Sequence, residues 1–158
     1  MDALVRLYNL PPLNEALVKA QKSDVDIRPA MAYEKSAVVQ WIATHFSGAW
    51  ADECSIAFTQ TPIKCFVAVR KSKLVGFACY DCTFPNYFGP LGVQNEQRGK
   101  GIGYALLLSC LHALFTQGFR YAIIGGCDGQ ESYYVHAVDA QLIEGSETGA
   151  YPPKLSKN

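Results

Sequence analysis

No apolar run in this sequence of 158 residues approaches the ~18 positions that a membrane-crossing helix needs, so no membrane span is predicted. Neither sign of charge is in excess. Lys and Arg together number 14, as do Asp and Glu, and a balanced chain lacks the basic surplus of a general nucleic-acid binder. The opening residues, Met1-Asp2-Ala3-Leu4-Val5-Arg6, have neither the charged region nor the apolar core of a secretory signal, and the expected compartment is the cytoplasm. Histidines at metal-ligand spacing are missing too. His45, His112 and His136 stand alone, and Cys79-Tyr80-Asp81-Cys82 has no second Cys-x-x-C to complete a zinc set, so no metal is expected. That pair also follows the apolar run 74–78. It therefore sits at a strand end, not at the helix N-terminus that would activate a redox thiol. Without a secretory signal disulfides are not expected, and the six cysteines (Cys54, Cys65, Cys79, Cys82, Cys110 and Cys127) are read as free, buried thiols.

What is present is an ordinary globular composition, 49% hydrophobic and 18% charged, in a length that suits one domain, residues 1–158, with a sizeable core. Residues 1–24 read as an N-terminal appendage: a short apolar run, Pro11-Pro12, and a small amphipathic helix near 13–21. Residues 25–28 are a predicted strand, and two helices follow over 33–46 and 50–58, broken at Ser47-Gly48. Strands over 65–70 and 74–82 flank the polar turn Lys71-Ser72-Lys73 and form an antiparallel pair. A third strand, 86–93, contains Gly89-Pro90, which predicts a bulge or an edge. A long apolar helix, a strand over 120–125, a helix over 131–140 and a last strand from Leu142 complete the chain. The tail 154–158 is expected to fray. The helix between strands 86–93 and 120–125 makes those two parallel. This order predicts a mixed α+β (α/β) fold with a largely antiparallel sheet flanked by helices.

The most informative stretch is Gln97-Arg98-Gly99-Lys100-Gly101-Ile102-Gly103, placed between strand 86–93 and the long helix. Glycines let a backbone approach a ligand closely, and the unpaired N–H groups of a first helical turn attract an anion. Arg98 and Lys100 add cations beside them. A Walker A loop would need Gly in place of Gln94 and Ser or Thr in place of Gly101, and a dinucleotide fingerprint would need Gly in place of Tyr104. Both readings fail.

What remains, Arg98-x-x-Gly101-x-Gly103, resembles the pyrophosphate loop of the GNAT superfamily of N-acetyltransferases. Leu74-Val75-Gly76-Phe77-Ala78 is similar to that family's third strand. Gly89-Pro90-Leu91-Gly92-Val93 resembles its fourth strand, and Tyr133-Tyr134 falls where the family often has Phe-Tyr. The order of elements matches over nearly the whole chain. The resemblance implies the GNAT fold, acetyl-CoA as cofactor, and acetyl transfer to a primary amine by direct attack. It places the pyrophosphate on Arg98, Gly99, Lys100, Gly101, Ile102 and Gly103, and the pantetheine along Leu91 and Val93. It makes Tyr134 the acid that protonates the leaving thiolate, with Tyr133 a packing aromatic. Trp50, Glu53 and Tyr80 are the candidate acceptor-site residues, with Phe84 beside them.

The general base is left open among Asp52, Glu53, Asp81 and a water chain, since strand 86–93 carries no carboxylate and Glu96 is expected to face solvent. Two departures from the family pattern stand out. Gly125-Gly126-Cys127 replaces an expected Asn, and Asp139 replaces a Gly. Cys127 lacks the adjacent base that a nucleophile would need. The expected acceptor is a small-molecule or peptide amine, with no nucleic acid and no membrane partner, and a homodimer is left open. The alternatives are a non-catalytic acyl-CoA-binding module and an interaction domain whose glycine loop arose by chance.

Overall fold

The long apolar helix carries buried residues on every side, among them Ile102, Ala105, Leu106, Leu107, Leu108, Cys110, Leu111 and Leu114. A helix that is apolar all round has to be enclosed on all sides, and this one lies at the centre of the core. The computed structural model describes residues 1–156. Its strands are β1 (Ala3–Arg6), β2 (Asp26–Pro29), β3 (Cys65–Arg70), β4 (Lys73–Tyr80), β5 (Tyr87–Val93), β6 (Tyr121–Ile124) and β7 (Gln141–Leu142). Its helices are α1 (Leu13–Gln21), α2 (Lys35–His45), α3 (Gly48–Ala57), α4 (Ile102–Thr116) and α5 (Glu131–Val138).

One sheet of seven strands in the order β2-β3-β4-β5-β6-β1-β7 forms the frame. Every pairing is antiparallel except β5 with β6, the pair joined through α4. The mixed fold read from the sequence is the one observed. Side chains alternate along a strand, and the alternation divides the core in two. Ala68, Ala78 and Tyr80 pack with the residues of α4 and α1. Val67, Phe77 and Cys79 pack with α2 and α3 on the other face.

Boundaries follow local chemistry. Phe46 closes α2 and Ser47 starts the next helix, its hydroxyl accepting from the Trp50 amide at 3.1 Å as the N-cap of α3. The expected bulge appears at Gly89-Pro90: the β4–β5 register shifts between Ala78 and Tyr80, so these two residues face Cys79 alone. Asp139 occupies the left-handed conformation that ends α5, φ 52°, the place where the family often has Gly. β7 is shorter than expected, two residues starting at Gln141.

The N-terminal residues need a correction, because they are not an appendage. β1 lies inside the sheet between β6 and β7, with Ala3 opposite both Ile124 and Leu142. Ala3, Val5 and Leu7 are buried, a period-two pattern that marks a strand, and α1 packs on α4. At the other terminus, residues 154–156 carry no helix or strand, and Lys157 and Asn158, part of the tail expected to fray, lie outside the described residues.

Gly92 shows how tightly the α2–α3 face is closed. A Cβ there would fall 2.5 Å from the Phe46 ring. That ring is held between Trp50, at 5.5 Å between centroids, and Phe77, at 5.8 Å, so it has little room to yield. Gly92→Ala should therefore destabilise the protein by about 1–3 kcal/mol, the usual range for overpacking. Urea unfolding of parent and variant would check this, and equal midpoints would contradict it.

Candidate active site

β5 and β6 run side by side at two positions only, Tyr87 opposite Ile123 and Phe88 opposite Ile124. Beyond them β5 continues to Val93 while β6 stops at Ile124. The bulge at Gly89-Pro90 falls where the strands part. A cleft of about 980 Å³ opens there, bounded by Leu91, Gly92 and Val93 of β5, by the glycine loop, and by residues of α3 and α5.

The loop combines left-handed glycines with an uncapped helix N-terminus. Gly99 and Gly101 both have φ 78°, a left-handed conformation that other residues adopt with strain. Gly101 is the N-cap of α4 and no side chain caps that end. The N–H groups of Ile102, Gly103 and Tyr104 therefore have no partner within the helix, and all three residues line the cleft. A Cβ on Gly103 would meet only Val93 Cγ2 at 3.7 Å and the Tyr133 hydroxyl at 3.9 Å, so the space before this turn is open. Such a cradle fits a pyrophosphate.

Of the two predicted loop cations, Arg98 lines the cleft, its Nε donating to the Val93 carbonyl at 3.3 Å. Lys100 is not among the lining residues. Its ammonium donates to Gln97 Oε1 at 2.8 Å, beside the glycine loop. Lys19 of α1, which no sequence motif marks, lays its side chain across Gly101, with Cδ 3.2 Å from where a Cβ would stand.

Both tyrosines of α5 line the cleft. Burial, helped by the neighbouring Tyr133 and Cys127, pushes the Tyr134 phenol well above its ordinary value. Its ring meets Phe88 edge-on at 6.4 Å. Burial pushes Tyr133 up to about 12. Across the cleft, Glu53 Oε1 accepts from the Thr83 hydroxyl at 2.7 Å. Trp50 stands one turn earlier on α3, stacked on Phe46. Tyr151 returns from the C-terminal segment to the same cleft, its phenol pushed up to about 12 by burial and then by the facing Glu53 carboxylate.

A family model described as Acetyltransferase (GNAT) family matches residues 35–134 of this sequence. The chain belongs to the GNAT acetyltransferase family. Among solved structures it is similar to a GCN5-related glucosamine N-acetyltransferase region of a fungal multi-domain β-N-acetylglucosaminidase. The TM-score there is 0.69 at 12% identity, over 89% of this chain and 19% of that one. It is also similar to a GCN5-related N-acetyltransferase from Sphaerobacter thermophilus, with TM-score 0.64 at 17% identity, over 90% of this chain and 47% of that one. The chain thus spans less than half the length of either, and at these identities the likeness concerns the fold. No curated protein matches the sequence.

Of the acceptor-site residues predicted for this GNAT protein, Trp50 and Glu53 reach the cleft and Tyr80 does not. Tyr80 is 3% exposed, tilted on Phe66 at 6.2 Å, and burial pushes its phenol up to about 12. It lies on the α4 face of β4 with Ala78, so strand alternation directs it into the core. Phe84 stands one layer behind, against Tyr87 at 5.0 Å and Tyr151 at 5.9 Å.

The candidate bases also separate. Asp81 accepts from Lys64 at 2.6 Å and from the Asn86 amide at 2.6 Å, a structural role at the strand end. Asp52 and Glu96 are exposed and away from the cleft. Among the described lining residues, Glu53 is the one carboxylate. Cys127 lines the cleft too, but its thiol donates to the Met1 carbonyl at 3.3 Å and burial pushes its pKa up. Both features oppose the thiolate that a nucleophile requires.

Tyr104, Gln130 and Tyr151 also line the cleft and were missed in the sequence. A signal for Tyr151 existed at Gly125. A Cβ there would approach the Tyr151 hydroxyl to 2.8 Å, so the glycine that replaces the family's Asn makes room for this ring.

Proposed function

We propose that this protein transfers an acetyl group from acetyl-CoA to a primary amine by direct attack, with Tyr134 as the acid and Glu53 as the acceptor-side carboxylate. The observation that carries the reading is the single cleft that joins the bare N-terminus of α4 to Tyr134 and Glu53. Acetyl-CoA would supply the activated thioester. The amides of Ile102, Gly103 and Tyr104, with Arg98, would hold its pyrophosphate, and Leu91 and Val93 would flank its pantetheine. The Tyr134 hydroxyl keeps its proton at neutral pH and is available to protonate the leaving sulfur. Glu53 would draw in the ammonium of the acceptor and, directly or through water, take its proton so that the free amine attacks. Trp50, Phe46 and Tyr151 give that region an aromatic wall suited to the apolar part of an acceptor.

The test is a product assay with acetyl-CoA and a panel of primary amines, from amino acids and polyamines to peptides. Acetylated amine and free coenzyme A should appear in equal amounts. Glu53→Gln should lower kcat/KM for the amine about 10–100-fold and leave coenzyme A affinity unchanged. Tight cofactor binding with no turnover on any amine would point to an acyl-CoA-binding module instead. Cytoplasmic action is part of the same proposal; among the described residues no helix is long and apolar enough to cross a membrane.

A further inference from the structure

Three cysteines that play no part in the cleft converge beneath it. Cys65 and Cys79 are cross-strand partners on β3 and β4, and Cys54 comes down from α3. The three sulfurs all lie within 4.8 Å of one another, with Cys54 and Cys65 3.8 Å apart. A pyramidal centre bonded to each at about 2.3 Å spaces three sulfurs about 3.5 Å apart, close to the separation observed, so the cluster can close on one shared thiophilic atom.

Charge decides which. All three residues are 0% exposed and packed among Val38, Ile42, Ala51, Val67 and Phe77. No Lys or Arg among the described residues is buried, and the ion pair next to the cluster, Lys64 with Asp81, is already self-compensated. Three thiolates around zinc would leave a net negative charge in this dry core, and around copper(I) a larger one, each without a compensating partner. Three thiolates around a trivalent centre are neutral.

We propose that Cys54, Cys65 and Cys79 form a tris-thiolate site for a trivalent arsenic or antimony centre. With arsenous acid three As–S bonds form and three As–O bonds break. The three thiol protons leave with the three hydroxyl groups as water, and no oxidation or reduction takes place. Cys82, half-buried and the next thiol along the chain from Cys79, offers the first point of attachment from solvent. Cys54 adjoins Glu53 and follows Trp50 by about one turn of α3, so an occupied site pins the helix that walls the acceptor side of the cleft to the sheet.

Arsenite added to the folded full-length chain, with a phosphine as reductant, should give one bound arsenic per chain. Arsenic X-ray absorption should then show three sulfur neighbours and no oxygen. Cys54→Ala, Cys65→Ala and Cys79→Ala should each weaken binding by about 100-fold or more, the effect of losing one linked ligand, whereas Cys110→Ala should not. Zinc added alone should not bind. No arsenic uptake, a shell of two sulfurs and an oxygen in the parent, unchanged affinity in Cys79→Ala, or stoichiometric zinc would each overturn the proposal. If the alanine variants fail to fold, the coordination shell of the parent decides.

Discussion

Tyr134→Phe is expected to lower turnover by about 10²–10⁴-fold while acetyl-CoA binds as before. In the proposed reaction the hydroxyl acts where negative charge appears, on sulfur as the thioester breaks, and an interaction made only then lowers kcat and kcat/KM together. Phe keeps the ring that packs edge-on against Phe88, so the fold of α5 should survive, which circular dichroism can verify. Because burial holds the Tyr134 phenol above its ordinary value, the loss of its proton should not limit turnover below about pH 10. Tyr133→Phe gives the contrast. The Tyr133 hydroxyl lies over Gly103, on the glycine-loop side of the cleft. Its loss should weaken coenzyme A binding by a few-fold, the size of one hydrogen bond, and spare kcat. Steady-state kinetics and calorimetry on the two variants separate these patterns. Equal effects from both would mean that neither phenol has the role given to it here.

Gly103→Asp should abolish coenzyme A binding, by about 100-fold or more, in a protein that remains folded. The position is helical and has no positive φ, and a Cβ there makes only ordinary contacts. A carboxylate in the first turn of a helix is favourable to the helix itself, so stability should be equal or slightly higher. The same carboxylate would occupy and repel the site proposed for the pyrophosphate. Gly101→Asp is a less clean probe because φ there is 78° and the added side chain meets Lys19. Unfolding midpoints alongside calorimetric affinity distinguish loss of ligand from loss of fold. Parent-like affinity in Gly103→Asp would displace the cofactor from this loop.

Both positions are proposed from local signals in the amino-acid sequence. Glycines at 99 and 101, both with φ 78°, mark the turn ahead of an apolar helix, and Tyr133-Tyr134 falls where the resembling family often has Phe-Tyr. The parallel pairing of β5 with β6 follows from the length of the α4 connection. Three matters are not local. β1 joins the sheet next to β6, across more than a hundred residues of chain, and nothing in residues 3–6 names that partner. Tyr80 is an aromatic at a strand end in the sequence, and only the alternation fixed by the β3 register sends it inward. Proposing Glu53 over Asp52 and Asp81 rests on Lys64 holding Asp81 and on the turn of α3 directing Asp52 away from the cleft. Tyr151 reaches the cleft and Lys19 reaches Gly101 beside it, and their positions depend on the space above Gly125 and on the packing of α1 on α4.

The most direct test is a crystal structure of the protein with coenzyme A. The account predicts the pyrophosphate on the amides of Ile102, Gly103 and Tyr104 with Arg98 beside it, the pantetheine in the gap between β5 and β6, and the thiol within hydrogen-bonding reach of the Tyr134 hydroxyl. Coenzyme A bound outside this cleft, a thiol placed against Cys127 or Tyr133 instead, or no binding at millimolar concentration would contradict it.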